Sequence, residues 1–416
     1  MASLNPSIRF ILATIVIDAI GFGIIIPVTP ALLMEVGGLD VSAAARFGGV
    51  LALLYASFQF LLGPVLGNLS DRFGRRPVLL GSLGGYSVNF ALMAMAPNLW
   101  WLLAGQALAG IFGGTYGPAQ AALADITPGD QRARVFAMVG AAFGIGFTLG
   151  PMIGGLLGEL GPRTPFYAAA ALAAINLIYG LTIFPETLDQ QHRRAFEWRR
   201  ANPLGALRVL GRMPGLLFLG VILLLWQIAS LIYPLTWSYY LIAGFGASTR
   251  AIGLSLTVVG ISMAAVQMLL TGKIVARFGE KRATMIGLSA AVIAFAGSAA
   301  APHFMPAIAL MLFMPLQSIV QPSLSAMVSQ RGQANNQGEI QGFTASVMSL
   351  GAMIAPLTLN PVLAYFTSAS TPVKLPGAAF IVSAIIGLVT LALVARLPTI
   401  NSSEQTIDRV DDGIGA

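Results

Sequence analysis

Residues 67–77 read GNLSDRFGRRP. Asp71, Arg72, Arg75 and Arg76 crowd into this stretch of a chain that is only 9% charged. The segments on either side, LLYASFQFLLGPVL (53–66) and VLLGSLGGYSVNFALMAMA (78–96), carry no charge at all. A polar knot between two oily stretches marks a link where the chain leaves an apolar medium, turns and re-enters it.

The rest of the sequence agrees with that medium being lipid. The chain has 416 residues, 56% of them hydrophobic, and a mean hydropathy of +0.80. Soluble domains carry roughly 25% charged residues. Apolar runs of about 20 residues recur along the whole length, which is what a helix needs to cross a bilayer core. Backbone polar groups in lipid must pair internally, so helices or closed barrels remain; barrel strands are ~10 residues of alternating polarity, and these runs do not alternate. The expected fold is all-α, with twelve spans near 8–30, 47–68, 77–96, 99–121, 133–158, 165–184, 215–240, 250–272, 282–301, 304–329, 338–366 and 374–396. The first run contains Asp18 and lacks an evident cleavage site, so it reads as an uncleaved span.

Twelve spans place both termini on one side, and the basic residues choose it. Of 23 lysines and arginines, 19 share the face of the termini; only Arg46, Arg163, Arg250 and Lys374 lie opposite. That face is therefore cytoplasmic, and the net charge of +7 reflects topology rather than nucleic acid. The chain divides into a six-helix bundle over 1–184, a basic linker over 185–214 read as solvated with a short surface helix near 203–212, a second bundle over 215–397, and a disordered tail over 398–416.

The halves echo one another. Moving 205 residues on from GNLSDRFGRRP gives GKIVARFGEKR (272–282), where Gly67, Arg72, Phe73 and Gly74 return as Gly272, Arg277, Phe278 and Gly279. The same offset carries GFTLGP (146–151) to GAMIAP (351–356), matching Gly146 to Gly351 and Pro151 to Pro356. One offset in two places argues for duplication of a six-span unit, both copies oriented alike. Gly67 and Gly74 allow close approach and positive φ, and Pro77 suits a first helical turn. Gly140, Gly144, Gly146, Gly150, Gly154 and Gly155 give span five grooves for a partner helix, and Pro151 gives it a bend.

Of the sixteen acidic residues, Asp18 alone lies deep within a span. It stands ten residues after Ile8, ~15 Å along a helix, halfway through a ~30 Å core. A charge there is costly and marks function by default. Burial disfavours the ionised form of a carboxyl, so such a group can carry one proton as a carrier changes face. Neither histidine (His192, His303) lies within a span, cysteine is absent, and no metal-ligand cluster or nucleophile–base set is evident, so the sequence does not read as an enzyme and calls for no metal or cofactor.

Six plus six spans, GNLSDRFGRRP with its weakened copy, and AFGIGFTLGPMIGG in span five resemble the major facilitator superfamily. VIDAIGFGIIIPVTP in span one, the RRPVLL continuation and DITPGDQRAR before span five are similar, more narrowly, to the tetracycline/proton antiporters among the drug exporters. The resemblance covers essentially the whole chain. It implies a monomer in a bacterial inner membrane, driven by the proton gradient and exporting a small molecule by alternating access. Asp18 would couple protons. Asp71 would latch onto the start of span eleven near Gln337–Gln341, within a cytoplasmic gate of Gly67, Gly74, Asp71, Arg72, Arg75, Arg76, Asp125 and Arg134, with Asp130 a further partner. Gly146, Gly150, Pro151, Gly154, Gly155, Gly351 and Pro356 would form matched pivots in spans five and eleven.

The family's ionisable intramembrane positions fall here on Asn89, Gln106, Met263 and Ala291, each swap removing charge, which counts against tetracycline itself. The resemblance places substrate at Tyr55, Gln59, Asn89, Gln106, Tyr116, Gln120, Gln227, Tyr233, Trp237, Gln317 and Gln321. Amides and aromatics suit a lipophilic neutral or cationic molecule. The alternatives are a proton-linked importer or facilitator of a metabolite, and a carrier-derived sensor that does not transport.

Overall fold

The computed structural model describes residues 6–113, 116–129, 131–198, 214–311, 313–331 and 337–398. Among the described residues every regular element is a helix. The first half runs α1 (Pro6–Ile25), a short α2 (Thr29–Gly37), α3 (Val41–Phe73), α4 (Arg75–Ala94), α5 (Leu99–Phe112), α6 (Tyr116–Ile126), α7 (Arg132–Gly158) and α8 (Thr164–Ile183). The second runs α9 (Pro214–Ser230), α10 (Ile232–Phe245), α11 (Thr249–Val266), α12 (Gly272–Ala300), α13 (Phe304–Leu310), α14 (Val320–Ser329), α15 (Gln337–Thr367) and α16 (Ala378–Ala395).

Ten continuous stretches among the described residues are long and apolar enough to cross a membrane. One of them, Thr249–Ala300, is 52 residues long and turns back at Gly279, so it supplies two crossings. Helices α5 and α6, interrupted after Gly113, supply one more. The total is the expected twelve. Several crossings are broken in ways the hydropathy does not reveal: α9 passes to α10 at Leu231, α11 runs into a wide π turn at Gln267–Thr271, and the tenth crossing passes from α13 through a 3₁₀ segment, Met314–Ile319, into α14.

The duplication is written in the backbone. Gly74 (φ 107°, ψ 162°) joins α3 to α4, and Gly279 (φ 74°, ψ 165°) makes the same kink 205 residues later. A left-handed φ is open to glycine at little cost. Beside these kinks Arg72 stacks on Phe73 at 5.1 Å and Arg277 on Phe278 at 5.5 Å. On the opposite face Gly38 (φ 60°) and Gly246 (φ 62°) close their helices, after which Asp40 and Ser248 cap the next ones by accepting from Ala43 N and Ala251 N.

The link at 67–77 is shorter than its sequence suggests. Helix α3 continues to Phe73 and α4 begins at Arg75, so the turn is Gly74 alone. Gly67 therefore lies inside a helix, and a Cβ added there would meet nothing within 4 Å; it makes no close approach here. The described part of the linker is mostly exposed, with a few ties to the first bundle. Phe184 and Leu188 are buried, Arg194 N donates to Asp71 O (3.1 Å), and Asn68 Nδ2 donates to Glu197 O (2.7 Å). These contacts anchor the start of the linker on the first bundle. The expected helix near 203–212 and the tail beyond Pro398 lie outside the described residues.

The halves meet along two related seams. In one, Asn360 Nδ2 donates to Ala45 O (2.9 Å) and Ser42 Oγ to Ala364 O (2.8 Å), joining α15 to α3. In the other, Glu159, at the end of α7, accepts from Thr249 Oγ1 and Arg250 N, both at 3.2 Å. Gly155 lies against Gly253 in that seam, a Cβ on Gly155 falling 2.9 Å from the Gly253 Cα. Offset by 205, Gly155 corresponds to Asn360 and Glu159 to Ala364. These bonds gather at the ends remote from the termini, and Ser238 Oγ donating to Ile26 O (2.9 Å) adds to them.

Candidate functional site

Between the seams and α4 lies a cavity of about 420 Å³. Asp18 from α1 lines it and is the only charged side chain to do so among the described residues. Around Asp18 stand Tyr55 and Gln59 from α3, Tyr86 and Asn89 from α4, and Gln106 from α5. Ser238 and Tyr239 of α10 reach in from the second half. Apolar and aromatic walls with a few polar groups are the usual make-up of a small-molecule site.

Three polar side chains converge on the break in the fourth crossing. Gln59 Nε2 donates to Tyr55 Oη and to Gly113 O, each at 3.1 Å. Gly113 O can accept because the helix stops there. The Tyr55 and Tyr86 hydroxyls both stand at this break, 3.2 and 3.3 Å from where a Cβ on Gly113 would fall.

Four of the expected substrate residues therefore come together: Tyr55, Gln59, Asn89 and Gln106. Of the others, those whose side chains are described do not line this cavity. Tyr233 and Trp237 are buried in an aromatic cluster with Phe295 and Phe380 inside the second half, and Trp237 Nε1 donates to Ser255 Oγ (3.0 Å). They face their own bundle because that core is built from large aromatics. Gln227 packs against Gly351, Gln317 is buried in the 3₁₀ segment, Gln321 Nε2 contacts Met348 Sδ at 3.3 Å, and Gln120 is half-buried on α6. The Tyr116 side chain lies outside the described residues. Phe22, Tyr86, Phe147 and Tyr239 are lining residues that sequence reasoning missed. Phe22 is one turn beyond Asp18 and Tyr86 nearly one turn before Asn89, so helical spacing was the available signal.

On the terminal face, Arg75 is the hub. Its Nη1 donates to Asp71 Oδ1 (2.6 Å) and Ser70 Oγ (3.2 Å), and its Nε to Asp125 Oδ2 (3.1 Å). Glu186 accepts from the backbone N–H of Arg75 (2.8 Å), Arg76 (3.3 Å), Thr187 and Leu188 (3.0 Å each), capping α4. A carboxylate at a helix N-terminus is favourable. Glu186 was not among the expected gate residues. Arg76 Nη2 instead reaches Leu181 O (2.9 Å), Arg72 lies over Phe73, and Arg134 is exposed on the first turn of α7. Asp71 is thus held by Arg75 across the Gly74 turn, while Gln337, where the latch was expected, bonds to Ser329. Asp130 lies outside the described residues.

The pivot glycines are where backbones touch. A Cβ on Gly150 would fall 2.7 Å from the Gly23 Cα, and one on Gly146 would meet Val16 O and Ala19 of α1. A Cβ on Gly154 would meet Ile24 O. Gly351 rests on Gln227 of α9 in the corresponding place, a Cβ there falling 2.6 Å from its Cγ.

Two like-oriented six-helix bundles around a central cavity are the architecture of a carrier that works by alternating access. The chain belongs to the Major Facilitator Superfamily, whose family model matches residues 11–356. It is 40% identical over 392 residues to the class C tetracycline resistance protein of Escherichia coli, covering 94% of this chain and 97% of that one. It is 28% identical over 352 residues to multidrug resistance protein 2 of Bacillus subtilis, covering 83% and 86%. Among solved structures, the nucleoside transporter NupG superposes with a TM-score of 0.75 at 15% identity, over 94% of this chain and all of that one. A D-xylose–proton symporter gives 0.74 at 18%, over 94% and 98%. The last two share the fold.

Proposed function

We propose that this protein is a proton-coupled antiporter that exports a lipophilic, neutral or cationic small molecule from a bacterial cell. The observation that carries this reading is Asp18, the one charged side chain on the cavity wall, halfway along the first crossing. A proton taken up by Asp18 from one side would be released to the other as the halves rock, and substrate would travel in the opposite sense. The resemblance to tetracycline and multidrug resistance proteins supports export. Asn89 and Gln106, neutral where that family carries charge, support a substrate that needs no buried ion pairs.

The excess of basic residues on the face of the termini supports a cytoplasmic location for both. On that orientation the bonded seams lie at the periplasmic end, which supports a state open toward the cytoplasm. Asp71 bound to Arg75 rather than to α15 suits that state, the latch onto α15 belonging to the opposite one. Inverted membrane vesicles energised by respiration test the reading with a panel of lipophilic amines. Uptake that collapses with a proton uncoupler supports it, and uptake indifferent to the uncoupler refutes it.

A further inference from the structure

Three phenylalanines form a ladder beside Asp18. Phe22 of α1 and Phe147 of α7 stack with centroids 6.2 Å apart and planes 25° apart; Phe147 and Phe143 follow at 6.0 Å and 13°. Phe22 and Phe147 line the cavity, whereas Phe143 lies beyond it. Phe143 is 44% exposed and Phe22 39%. The rungs climb from the terminal face: at 1.5 Å per residue from the start of each helix, Phe143 stands at roughly 16 Å, Phe147 at roughly 22 Å and Phe22 at roughly 24 Å. Asp18 precedes Phe22 by one turn on the same face of α1.

Ordinary aliphatic packing would fill this wall equally well, yet three rings follow one another with successive planes 13° and 25° apart. Stacked rings present flat faces of negative quadrupole to whatever continues the stack, and they favour aromatic partners and cations. We propose that the Phe143–Phe147–Phe22 ladder is a binding track for flat aromatic cations, which enter at Phe143 and end against Phe22 with their charge toward Asp18. This inference rests on the antiporter reading and narrows its substrate class. It also assigns the rungs different roles. Phe22 and Phe147 belong to the cavity, while Phe143 captures substrate before the cavity is reached, so its loss should weaken uptake of flat molecules more than that of aliphatic ones.

The test compares 9-aminoacridine, a flat aromatic cation, with decylammonium, an aliphatic cation of equal charge, in reconstituted full-length protein. Wild type should take up 9-aminoacridine with the lower KM. Phe143→Leu keeps apolar bulk and should raise the KM for 9-aminoacridine by roughly three- to tenfold, with kcat and the decylammonium KM unchanged. Phe143→Tyr should restore the wild-type KM. No preference for 9-aminoacridine in wild type, or an equal loss for both cations in Phe143→Leu, overturns the inference. Failure of the antiporter reading looks different: there neither cation's transport would respond to the proton gradient.

Discussion

Asn360 on α15 donates through Nδ2 to the carbonyl of Ala45 on α3, at 2.9 Å, and is almost wholly buried in doing so. Its repeat mate Gly155 offers no side chain, and that seam relies on backbone contact and on Glu159 instead. One seam is therefore pinned by an amide that the other lacks. Asn360→Leu keeps the volume and removes the donor, at a net cost of about 1 kcal/mol. The expected result is a shift of roughly fivefold toward the state open at the far face. The chain has no cysteine, so labelling Ala52→Cys from that side reads the shift directly: faster modification in the Asn360→Leu background agrees, and an unchanged rate does not.

Helix α7 rests on α1 through Gly150, where a Cβ would fall 2.7 Å from the Gly23 Cα, backbone that cannot swing aside. Gly150→Ala should cost about 1–3 kcal/mol, as overpacked cores do, and lower the melting temperature. Gly140→Ala is the control, since a Cβ there meets nothing within 4 Å. Equal melting temperatures for the two variants would show that the contact is not tight.

Glu186 accepts four backbone N–H groups at the start of α4 and the end of the sixth crossing. Glu186→Ala leaves those donors without their acceptor, at about 1–3 kcal/mol where they stay buried. Hydrogen exchange at Arg75 and Arg76 should then quicken, and the Arg75–Asp71–Asp125 cluster should loosen with it. Unaltered exchange would mean that water replaces the carboxylate at no cost.

Much of this was legible in the sequence. Crossing number followed from run lengths, and the repeat from GNLSDRFGRRP and its echo, because a positive-φ turn admits little but glycine at Gly74 and Gly279. Asp18, Tyr55, Gln59, Asn89 and Gln106 were found because polar groups inside spans are few. Tyr233 and Trp237 misled because an aromatic can fill a bundle core as well as a cavity wall, and hydropathy does not tell which face of a uniformly apolar helix looks inward. Phe22 and Phe147 were missed for the same reason. Glu186 was invisible because its partners are backbone groups brought near only by the fold.

On the reading proposed above, Asp18 carries the coupled proton. Its most direct measurement is transport by Asp18→Asn in liposomes, read twice: uptake driven by a pH gradient, and counterflow with no gradient. Loss of gradient-driven uptake with counterflow intact is the predicted result. Undiminished gradient-driven uptake in the same variant would contradict it.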